Sequence, residues 1–201
     1  MASPRSSAPG PARVARTATL ALAALALASC ASLAPPQGPA PAVTPLADAS
    51  FAIEGRLSAR RGADAVSAGF SWRHDPPRDA LTVVSPFGQT LAELDGDAAA
   101  GRARLRFADG RDVEASDWAV LTERALGFAL PVLALSAWVR GGPHGGSAFG
   151  AEADGDGRIV LLRQDGWEIA FGYADADARR PARLRLVDAE TEVRIVIEHW
   201  F

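Results

Sequence analysis

The single cysteine, Cys30, closes the tetrad Leu27-Ala28-Ser29-Cys30. With no second thiol in the chain, an internal disulfide is excluded, and the sulfur is left for another covalent use. The other groups that could do chemistry are scattered. His74 falls in a loop, His144 in a Gly-rich loop and His199 in the last strand, without the HxxxH or Cys/His spacing that would converge on a metal. No G-x-S-x-G elbow occurs, and residues 141–150 are Gly-rich but lack the strand-to-helix setting and the lysine of a phosphate loop. The chain contains no lysine at all. Asp117 and Glu123 suit a helix start and a solvent-facing charge better than an acid/base pair. These residues give no basis for an enzyme, a metal site or a cofactor.

Cys30 takes its meaning from what precedes it. Arg5, Arg13 and Arg16 are followed by an uncharged Ala/Leu run over residues 17–28 and then the small-residue tetrad, the order of a secretory signal. The run is too short for a membrane span of about 20 apolar residues. The tetrad resembles the bacterial lipobox, which implies cleavage before Cys30, diacylglycerol on its thiol and acylation of its amine. Two or more acyl chains anchor stably, at about 0.8 kcal/mol per buried CH₂. In bacterial lipoproteins Asp after the lipidated Cys often marks inner-membrane retention. Ala31 and Ser32 stand there instead, which favours the outer membrane. Loss of residues 1–29 removes three Arg and no acid, so the formal charge moves from −3 to about −6. Nucleic acid is therefore not expected as a partner. We divide the chain into a signal peptide (1–29), a lipidated Cys with a Pro/Ala-rich tether (30–50) and one folded domain (51–201).

In the domain the apolar period is two. Phe51, Ile53, Leu57 and Ala59 alternate with Glu54, Arg56, Ser58 and Arg60, and Val66, Ala68, Phe70 and Trp72 with Ser67, Ser71 and Arg73. Further strands are predicted at 81–85, 90–95, 102–107, 111–115, 158–164, 167–173, 183–188 and 192–200, with Asp165-Gly166 as a hairpin turn. Between them lie two helices. Ser116 and Asp117 offer an N-cap and a first-turn acid for the first, which Gly127 closes. The second starts at Pro131, is apolar nearly all round, and must be enclosed by other structure. Residues 141–157 are read as a Gly-rich loop. The fold class is mainly β: an antiparallel, curved sheet wrapped around two helices.

Its concave face would carry Phe70, Trp72, Val83, Leu94, Leu105, Trp167, Ile169 and Ile195, with Trp138 coming from the enclosed helix. Such a face either lines a cavity or packs into a solid core, since both have the same pattern. In Ser85-Pro86-Phe87-Gly88 a turn places an aromatic at its tip, either in solvent or folded back on the sheet.

The segments Phe51-Ala-Ile-Glu-Gly-Arg-Leu57, Phe70-Ser-Trp72, Ser85-Pro-Phe-Gly-Gln-Thr90, Leu126-Gly-Phe-Ala-Leu-Pro131, Trp138-Val-Arg-Gly141, Gln164-Asp-Gly-Trp167 and Trp200 follow the order found in the LolB family, which the chain resembles. The resemblance implies an unclosed antiparallel β-barrel of about eleven strands (a family figure) with helices lidding an apolar cavity. It implies a protein that takes acylated lipoproteins from a periplasmic LolA-like carrier and inserts them in the outer membrane, whose lipid is a further partner. It also implies that the nine apolar residues named above line the acyl-chain cavity and that Phe87 is the membrane-insertion loop. A lipid-anchored monomer on the periplasmic face is expected. The alternative is a structural or assembly lipoprotein of the outer membrane that binds a protein partner and has no such cavity.

Overall fold

A computed structural model describes residues 43–201; Cys30, the signal segment and most of the tether lie outside that range. Six strands come first: β1 (Phe51–Arg61), β2 (Asp64–Asp75), β3 (Arg78–Val84), β4 (Thr90–Asp97), β5 (Arg102–Phe107) and β6 (Asp112–Ala115). Helices α1 (Trp118–Leu126) and α2 (Val132–Trp138) follow. Then come β7 (Phe149–Ala153), β8 (Ile159–Gln164), β9 (Trp167–Gly172), β10 (Arg183–Val187) and β11 (Thr191–Trp200).

All eleven strands form one sheet in the order β6-β5-β4-β3-β2-β1-β11-β10-β9-β8-β7, with every neighbouring pair antiparallel. The chain thus runs out to the β6 edge as one meander, resumes at the β7 edge, and returns as a second meander until β11 pairs with β1. The two edges do not pair with each other, so the barrel is unclosed. The helices occupy the connection between those edges, which is why a short segment can sit inside the curve of the sheet.

The seam between the two meanders depends on a close approach. At the β1–β11 register shift beside Gly55, a Cβ on that residue would lie 2.0 Å from the carbonyl oxygen of Val196, so only glycine fits. A similar approach places α1, because a Cβ on Gly96 of β4 would meet the Trp118 ring at 2.5 Å.

The period-two pattern becomes a buried concave face and a charged convex one. Along β1 the buried positions are Phe51, Ile53, Gly55, Leu57 and Ala59, alternating with more exposed neighbours. On the convex side Arg and acid positions sit opposite each other in register, as with Asp95 and Arg104, or Arg106 and Asp112.

Two expectations need correction. Residues 141–157 are not loop throughout, because β7 forms within them and pairs with β8, bringing the strand count from ten to eleven. Asp117 is the N-cap of α1, accepting from the Ala119 amide at 2.9 Å, and the first turn carries no acid. Gly127, with φ of 85°, ends the helix as expected. Residues 43–50, assigned above to the tether, carry no regular secondary structure but lie against the domain: the Leu46 amide donates to the Pro143 carbonyl at 2.8 Å.

Candidate functional site

The concave face is built from cross-strand rows. Phe70 stands opposite Val83, which stands opposite Ala92 and then Phe107. The next row runs Trp72, Leu81, Leu94, Leu105, Val113. On the other meander Ile169 is flanked by Leu162 and Leu186, and Ile195 by Leu184 and Leu57. The eight wall residues named from sequence, together with Trp138, are therefore brought to one apolar interior, and all nine are buried within a single cluster. Phe128, Leu130, Val132 and Leu135 from the helical segment complete it.

Helix α2 lies within that interior. Six of its seven residues are buried; the exception is Leu133, which is half exposed. Trp138 has no exposed surface, and its indole nitrogen donates to Gln164 Oε1 of β8 at 2.9 Å. The same oxygen accepts from the His144 amide at 3.2 Å, and the Gln164 amide nitrogen donates to the His144 carbonyl at 2.9 Å. Gln164 thus satisfies both the one polar atom of the indole and the loop that follows α2. At the other end of the helix, the Thr122 hydroxyl of α1 accepts from the Leu130 amide at 2.8 Å.

A cleft of ≈ 780 Å³ lies mostly over the convex face, where Arg73, Asp95, Arg104 and Glu114 line it; such charged walls do not suit hydrocarbon.

Phe87 is 91% exposed, so it is not folded back onto the sheet. Its turn is tightly built. The Gly88 amide donates to the Ser85 carbonyl at 2.9 Å, the Ser85 amide to the Gln89 carbonyl at 2.7 Å, and Ser85 Oγ accepts from the amides of Phe87 and Gln89. Gly88 has φ of 81°. This is a three-residue hairpin loop in which a type I turn is followed by a left-handed glycine, and it holds the phenyl ring out in water. Leu91, next to the register shift between β3 and β4, adds a second exposed apolar side chain on the same hairpin.

One polar cluster escaped sequence reasoning. His74, expected in a loop, lies in β2, where it pairs with Phe51 and Asp79, and is 4% exposed; its Nδ1 lies 2.8 Å from Asp79 Oδ1 and its Nε2 2.7 Å from Asp48 Oδ1. Asp79 Oδ1 also accepts from the Trp72 indole at 2.7 Å. Burial pushes the His74 pKa down, but the hydrogen bonds and charges of Asp79 and Asp48 outweigh it, and the net shift is upward from 6.5. The signal was available: His74 and Asp79 flank the Pro76-Pro77 turn symmetrically and are register partners. Both ring nitrogens of His74 are engaged by carboxylates. In His144, Nε2 meets Asp165 at 2.5 Å and Nδ1 accepts from the Gly146 amide at 2.9 Å. Neither ring has a nitrogen placed to activate a hydroxyl. Among the described residues no group of three His, Cys, Asp or Glu could hold a metal ion, and no helix is long and apolar enough to cross a membrane.

An unclosed antiparallel sheet whose apolar concave face encloses a helix defines a class of β-shell proteins. Within the class, the family is set by the sequence itself. The family model described as outer membrane lipoprotein LolB matches residues 49–200. The outer-membrane lipoprotein LolB of Chromobacterium violaceum is 38% identical over 178 residues, covering 88% of this chain and 94% of that one. Those of Azoarcus sp. and Thiobacillus denitrificans are 33% and 36% identical, over 94% and 92% of this chain and 97% of each relative. The crystal structure of a LolA superfamily protein from Nitrosomonas europaea covers 78% of this chain and 87% of its own at 6% identity, with a TM-score of 0.47. The chain belongs to the LolB family of outer-membrane lipoproteins.

Proposed function

We propose that this protein receives acylated lipoproteins from a LolA-like periplasmic carrier and places them in the outer membrane, holding their acyl chains against the concave apolar face meanwhile. The observation that carries the reading is that face itself: cross-strand rows from both meanders, continuous and apolar, closed over by a short helix and not by a second sheet. Acyl chains cannot cross an aqueous periplasm bare, since three of them exposed cost tens of kcal/mol at about 0.8 kcal/mol per CH₂. A wall of Phe, Trp, Leu, Ile and Val requires no matching hydrogen bonds and so accepts varied cargo.

The wall residues are covered in the closed molecule, so uptake requires α2 to yield and hydrocarbon to take the place of its contacts. Transfer then needs no nucleotide and no bond chemistry. Each step is downhill if this interior binds acyl chains more tightly than the carrier does and the bilayer more tightly still. Phe87, fixed on a rigid turn, is the group we assign to lipid contact, and Cys30 is the anchor. The protein works as a monomer in this scheme, because the interior is complete within one chain.

The test is incubation of the unacylated protein with a carrier loaded with radiolabelled lipoprotein. Movement of label onto this protein, and onward into outer-membrane lipid, is expected. No movement, with no uptake of a fluorescent hydrocarbon probe, would favour a structural lipoprotein whose interior is permanently solid.

A further inference from the structure

The segment before β1 is docked on the helix that the proposed function requires to move. Residues 43–50 cross the C-terminal end of α2 and are fastened at four places. The Leu46 amide donates to the Pro143 carbonyl at 2.8 Å, just beyond the helix. Arg140 Nη1 donates to the Ala47 carbonyl at 2.8 Å, while its Nε holds the Ser136 carbonyl of α2 at 2.9 Å. Asp48 reaches the buried His74 at 2.7 Å and lies 3.9 Å from Arg140 Nη2. Ser50 Oγ donates to Asp75 at 2.8 Å. The Leu46 side chain fills the space a Cβ on Gly142 would need, with contacts from 2.6 Å.

We propose that residues 43–50 are a strap that keeps α2 seated in the concave face, that Asp48 is its catch on His74 and Arg140, and that release of this catch is the first step in opening the interior. Three further features support the assignment. Asp48 is 58% exposed on its side chain while His74 and Arg140 are 4% and 14% exposed, so the catch joins an accessible group on the strap to buried groups in the wall and just beyond the helix. Arg140 grips α2 and the strap at once, so the two cannot separate without losing a charge-assisted bond. A cleft of ≈ 400 Å³ already lies between Leu46 and Asp48 of the strap, Leu133, Ser136 and Ala137 of α2, and the turns carrying Pro77 and Ala98. It gives the helix room to swing outward once the strap lets go.

The groups around the catch are Asp79 from β3, Asp48 from the strap, Arg140 beyond α2 with Arg180 near enough to disfavour its charge, and the rings of Trp72 and Phe51. His144 borders the same cleft but is committed to Asp165. Two carboxylates on one imidazole make the catch strong when His74 is protonated. Neutral His74 has a single N–H and can donate to only one of them.

The second half of this inference, that release admits hydrocarbon, rests on the acyl-chain reading; the first half does not. Both are tested on the full chain carrying Cys30→Ser, which loses the lipid and keeps the strap. Hydrogen exchange is measured for residues 132–140 and, as internal reference, for residues 167–172 of β9, and the uptake rate of a fluorescent sixteen-carbon fatty acid is measured in parallel. Asp48→Asn should speed exchange in 132–140 by about tenfold with β9 unchanged, and should raise the uptake rate by a similar factor. Leu46→Ala, which loosens the strap without touching a charge, should move both readouts in the same direction. Unchanged exchange in 132–140 in both variants, or an equal rise in β9, overturns the strap whatever the probe does. Faster exchange with an unchanged uptake rate overturns the gating step alone, and failure of the parent chain to take up any probe identifies the acyl-chain reading as the fault.

Discussion

The indole nitrogen of Trp138, on the helix enclosed by the sheet, donates at 2.9 Å to the side-chain oxygen of Gln164 on β8, and neither side chain is more than 3% exposed. This bond fixes which way the most deeply buried tryptophan of the interior points. Gln164→Leu keeps the volume and removes the acceptor, leaving a buried N–H unpaired together with the His144 backbone groups. A loss of about 1–3 kcal/mol is expected, read as a lower urea midpoint at unchanged m value. A shift below about 0.5 kcal/mol, the scatter of neutral surface changes, would mean that the indole finds another partner.

His74 makes stability pH-dependent with a definite sign. Its folded pKa is raised above 6.5 by Asp79 and Asp48 against the opposing effect of burial. The stabilisation is therefore complete below 6.5, the unfolded value, and is lost as pH rises through the folded value. Urea titrations at a series of pH values from 6 upward should show the chain weakening over that window. In Asp48→Asn the window should narrow, because one of the two carboxylates that raise the pKa has gone. An Asp48→Asn curve parallel to that of the parent would show that Asp48 does not hold the imidazolium.

How much of this was legible in the sequence follows from which interactions are local. Alternation alone placed Phe70, Trp72, Val83, Leu94, Leu105, Trp167, Ile169 and Ile195 on one face, because a strand's period is independent of what it pairs with. An apolar circumference alone required α2 to be enclosed. Strand β7 was missed because Phe149-Gly-Ala-Glu-Ala153 is short, holds a glycine and owes its conformation to pairing with β8. The strap was missed for a similar reason. Residues 43–50 have no period and contain the helix-breaking Pro45, and what orders them is a set of distant contacts, among them Asp48 with a histidine 26 positions away and Leu46 with Pro143.

The seam between the meanders offers a sharper steric test. A Cβ at Gly55 would stand 2.0 Å from the Val196 carbonyl oxygen, and a backbone atom within a ladder cannot swing aside as a side chain would. Gly55→Ala should cost at least the roughly 1–3 kcal/mol of an overpacked core, with a Tm drop of about 2–4 °C for each kcal/mol in a domain of this size. Gly150→Ala is the matched control, since a Cβ there meets nothing within 4 Å. Its Tm should stay close to that of the parent. Equal behaviour of the two variants would show that β1 and β11 can part locally without loss.

Under the proposed function, a change at Phe87 should separate delivery from uptake. Its ring touches almost nothing in the folded chain, and its turn is held by backbone and Ser85 bonds that a substitution at the tip does not alter. Phe87→Glu should therefore leave stability within about 0.5 kcal/mol of the parent. The added carboxylate would have to enter the headgroup or acyl region in the state we assign to delivery, where a charge is strongly disfavoured. Radiolabelled cargo should pass from carrier to the variant at the normal rate and then remain there, with little reaching vesicles of outer-membrane lipid. Equal loss at both steps would place Phe87 in carrier docking instead, and normal delivery would remove the turn from the mechanism.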